Sequence, residues 1–204
     1  MNYEPFINSL IDLAIAEDIG DGDHSSLSCI PSNASGAVQL KMKQAGILAG
    51  VEIAQKVYHR IDANVRFEAF KADGQELSEG EYVFRAEGKI HTLLQAERIV
   101  LNIMQRMSGI ATQTSIYVKR CEGTKTKILD TRKTTPGMRI FEKYAVRIGG
   151  GCNHRYNLSD GVLLKDNHID AAGGVKEAVA AAKAYAPFVG KIEVETENLD
   201  MVKE

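Results

Sequence analysis

Arg132 and Lys133 stand side by side in LDTRKTTPG, residues 129–137. Three threonines surround them, and a Pro-Gly pair then turns the chain. Adjacent cations on a small, polar, sharply turning segment suit a multiply charged anion. The guanidinium offers a planar fork of donors and the ammonium a point charge. Other stretches repeat the theme. The apolar run in DGVLLK (160–165) ends at Lys165, followed by Asp166, Asn167 and His168. KIEVE (191–195) ends at Glu195. RIGGGCNHRYN (147–157) places His154 and Arg155 just after three glycines. Those glycines either let backbone approach a ligand closely or form a flexible linker. His154 and His168 each read as a ligand contact or as a hydrogen-bonded structural histidine. An ammonium at the end of an apolar strand is drawn toward a core, which costs several kcal/mol unless an anion answers it. Glu193 and Glu195 project to one side of their strand. They either crowd one another or meet a cation, such as a lysine of the same sheet.

The elements that must position these residues follow from period. Residues 4–17 show apolar groups at helical spacing (Phe6, Ile7, Leu10, Leu13, Ala14), and EDIGDGDHSS (17–26) reads as an acidic, turn-rich loop. From residue 36 the period changes to two, with Val38, Leu40 and Met42 alternating with Gln39 and Lys41. A short helix is predicted over 51–61 and strands over 64–70 and 81–86, with Asp73-Gly74 marking a turn. A long helix begins near His91, and Gly109 is expected to interrupt it as a hinge. Beyond 126 the rhythm becomes strand (127–129), helix (138–146), strand (160–165), helix (173–186), strand (191–195). Such alternation implies a parallel sheet or a β/α barrel, where ligands collect at the carboxyl ends of strands. The nearly all-apolar 160–165 strand is expected to be buried on both faces.

Bulk properties exclude several classes. The chain has 204 residues, is 44% hydrophobic and 25% charged, and carries a formal charge of −2. That offers no global basic field for nucleic acid or an acidic membrane. Residues 124–168 nevertheless hold nine Lys/Arg against four Asp/Glu, a local +5, which favours a small anion over a polyanion. No apolar run is long enough to span a bilayer, and the start, Met-Asn-Tyr-Glu, is not a signal peptide. Cys29, Cys121 and Cys152 fit neither a disulfide framework nor a zinc pattern. They read as buried thiols in a reducing, cytoplasmic compartment.

Four ordered motifs carry a family resemblance: ERIVLNIMQRMSGIAT (97–112), DTRKTTPGMRIFEKYAV (130–146), GGGCNHRYNLSDGVLLKDNHI (149–169) and IEVETENL (192–199). With EDIGDGDHSS and GILAGVEIA (46–54), the chain resembles quinolinate phosphoribosyltransferases along nearly its whole length. The resemblance implies an N-terminal α+β open sandwich (1–107) followed by an incomplete β/α barrel (108–204). It implies phosphoribosyl transfer from phosphoribosyl pyrophosphate to quinolinate with decarboxylation, giving nicotinate mononucleotide, pyrophosphate and CO2 for NAD biosynthesis. Magnesium would accompany the diphosphate, with no metal site of the protein's own. By the same resemblance Arg132, His154, Arg155 and Lys165 line the quinolinate pocket, while Lys133 and Thr134 meet the sugar diphosphate. Glu195 holds the ribose hydroxyls or magnesium. Lys133, Lys165 and Glu195 would be catalytic.

Arg98, which by itself also reads as a surface ion pair with Glu97 or Glu177, would reach the site of a second subunit. A homodimer, or a higher oligomer, is therefore expected. Members of the family continue for roughly another third of this length, a size ordinary for β/α barrels. The chain is accordingly expected to be truncated at its C-terminus and inactive alone. Alternatives are a non-catalytic anion-binding fragment, a related transferase-like protein of molybdate operons that shares the TRKT turn, and an aldolase-like barrel using Lys165 as a Schiff base.

Overall fold

A computed structural model describes residues 3–185 and 190–204. Ala186, the last residue of the predicted 173–186 helix, lies outside the described residues. The chain forms two compact units, residues 1–153 and 154–204.

The first unit opens with α1 (Glu4–Ile19), which carries Pro5 in its first turn, where a missing N–H costs nothing. The helix forms as predicted, and of its expected apolar face Ile7, Leu10 and Ala14 are half-buried while Phe6 and Leu13 are not. Only Ile11 is buried, and Phe6 and Leu13 are each 62% exposed. A six-residue helix, α2 (His24–Cys29), occupies part of the predicted loop, capped by the Asp23 carboxylate on the Ser26 N–H. The strands β1 (Ser35–Lys41), β2 (Gly46–Ile47), β3 (Arg66–Ala69), β4 (Glu76–Leu77) and β5 (Tyr82–Lys89) surround α3 (Val51–Ile61). β5 is the centre of an antiparallel sheet ordered β1-β5-β3, and β2 pairs with β4. Phe67 and Phe84 pack with ring centres 4.6 Å apart, and Tyr58 of α3 meets Phe84 edge-on.

The predicted Asp73-Gly74 turn forms, and its aspartate does further work. Its two oxygens accept the N–H groups of Gly50 and Val51 at the start of α3, and the Tyr144 hydroxyl donates to the same carboxylate. One turn thus fixes a helix entrance and a second helix at once. Burial first, and that hydrogen bond second, push the Tyr144 hydroxyl pKa well above the usual tyrosine range.

From β5 the chain passes directly into α4 (Ile90–Arg120), roughly 45 Å long at 1.5 Å per residue. The expected break at Gly109 does not occur. Buried residues recur every three or four positions from Leu93 through Ala96, Val100, Met104 and Met107 to Ala111, so packing holds the helix through the glycine. α5 (Arg139–Ile148) packs on α4. The predicted 127–129 strand shrinks to a single parallel bridge between Leu129 and Cys152.

The second unit contains β6 (Val162–Leu164), α6 (Asp166–Ala172), α7 (Val175–Tyr185), β7 (Ile192–Val194) and α8 (Leu199–Lys203). β6 and β7 run parallel, Leu163 opposite Glu193, as strand–helix alternation requires. β6 is not buried on both faces. Val162 and Leu163 are half-buried and only Leu164 is buried, because among the described residues β6 pairs with β7 alone.

Candidate active site

The cation loop in the first unit is shaped by one face of α5. Arg139, Glu142 and Lys143 lie three and four residues apart, so they share that face. Arg139 donates through Nε to the Thr134 hydroxyl (3.0 Å) and through Nη2 to the Arg132 carbonyl (3.4 Å). Glu142 accepts the Thr135 N–H (3.2 Å). Arg106, from α4, donates to Glu142 through Nε and Nη2 (3.1 and 2.7 Å) and to the Thr135 hydroxyl (3.0 Å). The Lys143 ammonium pairs with Asp130 at the head of the loop. Thus the Arg132 carbonyl and the Thr134 and Thr135 hydroxyls are answered from the helices behind the loop, while the Thr131 hydroxyl accepts the Lys133 N–H (3.0 Å) within it.

What those bonds leave over is the cationic tip. Lys133 is exposed. Arg132 is half-buried, and its Nε is buried with no hydrogen-bond partner. A buried donor without an acceptor costs about 1–3 kcal/mol, so a ligand oxygen there removes a penalty as well as adding a bond.

Burial pushes the Glu142 carboxyl up, but hydrogen bonds from Arg106 and Thr135 outweigh it and hold the group below the ordinary glutamate value of 4.5. A depressed folded-state pKa stabilises the fold above pH 4.5 and loses that contribution as pH falls through the folded value. Glu142→Gln is therefore expected to destabilise by about 1 kcal/mol at pH 7, the half-exposed Arg106 tempering the effect. The difference from the parent should vanish at the acid end of a pH series of urea melts.

The triple glycine serves packing, not ligand approach. A Cβ on Gly149 would sit 2.3 Å from the Ala111 carbonyl oxygen and 2.7 Å from Thr114 Cβ; one on Gly151 would sit 2.8 Å from Val146 and 2.9 Å from Thr114. The segment lies flush on α4, so the linker reading fails too.

In the second unit the sequence-predicted residues come together as acid–cation pairs. Lys165 and Glu195 leave neighbouring strand ends side by side and pair at 2.7 Å. His154 Nε2 meets Glu193 at 2.6 Å. Arg155 donates through Nη1 to the Gly161 carbonyl (3.0 Å), which leaves other guanidinium donors. Lys165 is not drawn into a core: its side chain is 43% exposed and neutralised by Glu195. The reason is the strand period of two, which puts Glu193 and Glu195 on the face that meets the cations. Exposed pairs of this kind are worth little, about 0–1 kcal/mol. His168 is structural: its Nδ1 accepts the Lys165 N–H (3.1 Å) and caps α6.

Arg98 is exposed on α4 and forms no ion pair with Glu97, so within the first unit the surface-pair reading finds no support. The three cysteines are free, but Cys29 and Cys152 are exposed and Cys121 is partly exposed, not buried as expected. Their short runs sit at a helix end or in loops, where no core is available. The sequence reading missed Arg106, Glu142 and Lys143. The available signal was a charged face at i, i+3, i+4 opposite buried Ile140, Phe141 and Ala145.

An antiparallel sandwich followed by parallel strands whose ends carry cations defines an α/β protein suited to small, multiply charged anions. Comparison with known proteins narrows the class. Residues 23–108 match the family described as quinolinate phosphoribosyl transferase, N-terminal domain, and residues 110–204 its C-terminal domain. The chain is 43% identical to the probable carboxylating nicotinate-nucleotide pyrophosphorylase of Bacillus subtilis over 97% of its length, spanning 68% of that protein. It is 40% identical to the Synechocystis counterpart, of which it spans 64%. The structure of NadC from Streptococcus pyogenes superposes with a TM-score of 0.93 at 43% identity, covering 100% of this chain and 72% of that one. The chain belongs to the quinolinate phosphoribosyltransferase family, a family of decarboxylating pentosyltransferases.

Proposed function

We propose that this chain binds quinolinate and phosphoribosyl pyrophosphate and serves their conversion to nicotinate mononucleotide, pyrophosphate and CO2 in NAD biosynthesis. The observation that carries the reading is the unanswered Arg132 Nε, beside the exposed Lys133, in a loop whose Arg132 carbonyl, Thr134 hydroxyl, Thr135 N–H and Thr135 hydroxyl are engaged from the helices. Quinolinate is a planar dianion, and guanidinium forks match carboxylates. The family resemblance assigns its carboxylates to Arg132, His154, Arg155 and Lys165, and the sugar diphosphate to Lys133 and Thr134.

The pyridine nitrogen attacks the anomeric carbon as the bond to the diphosphate oxygen breaks. Glu195 is the carboxylate available to stabilise the oxocarbenium-like sugar. Lys133 and Lys165 answer the charge that leaves with the diphosphate. The C2–carboxylate bond then breaks, its electron pair settling beside the cationic ring nitrogen before a proton replaces CO2. Among the described residues no three His, Cys, Asp or Glu cluster as a metal cage. Magnesium is commonly held by one or two carboxylates plus substrate phosphates, and Glu195 fits as one such ligand. It would supply charge neutralisation to the diphosphate.

Arg98 is exposed on α4 near Leu94, itself 40% exposed, with Ile116 and Tyr117 41% and 49% exposed further along. We take this face as covered by a second copy, whose site Arg98 completes. Three free thiols, two of them exposed, suit a reducing cytoplasm. Among the described residues no helix is long and apolar enough to cross a membrane.

Calorimetry tests the reading without requiring turnover. Quinolinate should bind, and nicotinate, which lacks one carboxylate, about 10- to 100-fold more weakly. Arg98→Ala should weaken quinolinate binding without changing the melting temperature. Equal affinity for the two acids would overturn the dianion reading; unchanged affinity in Arg98→Ala would overturn the shared site.

A further inference from the structure

We propose that Lys143 is a positioning residue for the anion-binding loop, acting through Asp130 and Asn153; the proposal rests on the reading of that loop given above. Lys143 is 2% exposed, among the most buried side chains of the protein, and Asp130 is buried beside it with its side chain 8% exposed. Lysine is almost never so buried without a partner. An apolar residue of similar volume at this helix position would generally serve stability as well or better. The buried charge therefore calls for a role in placement.

The connections show what is placed. Asp130 immediately precedes Thr131 and Arg132. Its N–H donates to the Cys152 carbonyl (3.1 Å), next to the Leu129–Cys152 bridge. Its carboxylate accepts from Lys143 and from Asn153 Nδ2 (2.5 Å). The same Asn153 amide donates to the Lys143 carbonyl (2.8 Å). Helix, glycine-rich segment and loop head are thus tied at one point, with the Lys143 and Asp130 side chains buried and Asn153 at the surface. The far end of the loop is held by Arg139 and Glu142 on Thr134 and Thr135. Between Asp130 and Thr134 lie Thr131, Arg132 and Lys133, and of these the Arg132 carbonyl also accepts from Arg139 (3.4 Å). With Asp130 fixed, the path of the Arg132 backbone into its half-buried position is fixed as well. Lys143 cannot itself meet substrate from where it lies, so its influence passes through Asp130.

The test is the double variant Asp130→Asn/Lys143→Met, which replaces both charges with neutral groups of similar size and strands neither. Hydrogen exchange of residues 130–135 should quicken about tenfold while α4 and α5 keep their protection. The melting temperature should stay near that of the parent, and the quinolinate dissociation constant should rise about tenfold. A purely structural Lys143 would leave exchange in 130–135 and affinity at parental values, and that result overturns the proposal. If the double variant does not fold, Asn153→Ala, which leaves the ion pair in place, carries the test: exchange in 130–135 should quicken about threefold, and parental exchange overturns it. Should the parent bind no quinolinate, the substrate reading falls, while the exchange rates still decide the role of Lys143.

Discussion

Arg132→Ala is expected to weaken quinolinate binding by about 2–4 kcal/mol, roughly 30- to 1,000-fold, while leaving the fold intact. The expectation has two parts. The Nε of Arg132 is buried and unanswered, so removing the side chain breaks no hydrogen bond at that atom. The loop itself is held by the Arg132 carbonyl, Thr134 and Thr135, which the substitution leaves in place. Unfolding free energy should therefore change by no more than about 0.5 kcal/mol. Binding is another matter, since a carboxylate of the ligand loses its fork and sits partly desolvated. Arg132→Lys separates charge from shape. It keeps the charge but cannot present two parallel donors, so it should recover less than half of the lost affinity. Calorimetry on the three proteins, with urea melts alongside, checks both halves. Parental affinity in Arg132→Ala would remove this residue from the site.

Gly149→Ala should destabilise the protein by about 3 kcal/mol, lowering the melting temperature by roughly 6–12 °C. The added Cβ meets the Ala111 carbonyl oxygen at 2.3 Å, and the next atom of that carbonyl group at 3.1 Å. Both belong to the backbone of α4, which is pinned by Val100, Met104 and Met107 on its buried stripe. Backbone within a packed helix cannot step aside as the end of a lysine can, so the strain must move whole elements. Gly149 also ends α5, its N–H donating to the Ala145 carbonyl (3.0 Å), and displacement there would loosen the helix that shapes the cation loop. Gly109→Ala is the control. A Cβ there meets nothing within 4 Å, and an exposed helix position gains about 0.5–1 kcal/mol from alanine over glycine. A chemical denaturation series should place the two variants on opposite sides of the parent.

The contrast between these two glycines shows where a linear reading stops. Gly109 reads as a helix breaker because propensity is a local property. Tertiary packing on either side of it overrides about 1 kcal/mol with ease, and α4 runs straight through. Gly149 to Gly151 read as a ligand cradle or a linker because nothing nearby in sequence shows that α4 will press against them. Local chemistry was a better guide where it was self-contained. The alternation of Val38 and Leu40 marked β1, Asp73-Gly74 marked its turn, and the apolar spacing over 51–61 marked α3. It failed for α2 and α6, which are short, polar and held by side-chain caps with no apolar period to announce them.

For the candidate site, the positions of the cations were legible and their partners were not. Arg132, Lys133, Arg155 and Lys165 announce themselves as charges at turns and strand ends. Nothing within ten residues says that Lys165 will pair with Glu195, or His154 with Glu193. The sequence alone determined the alternation of elements, the family and the concentration of positive charge, because these depend on side-chain type and period. The tertiary structure alone decided which cations are neutralised, which donor of Arg132 is left unanswered, and that Lys143 is buried against Asp130. The physical reason is that a charge or a close packing contact is settled by its neighbours in space, and here those neighbours come from α4, α5 and β7, up to tens of residues away along the chain.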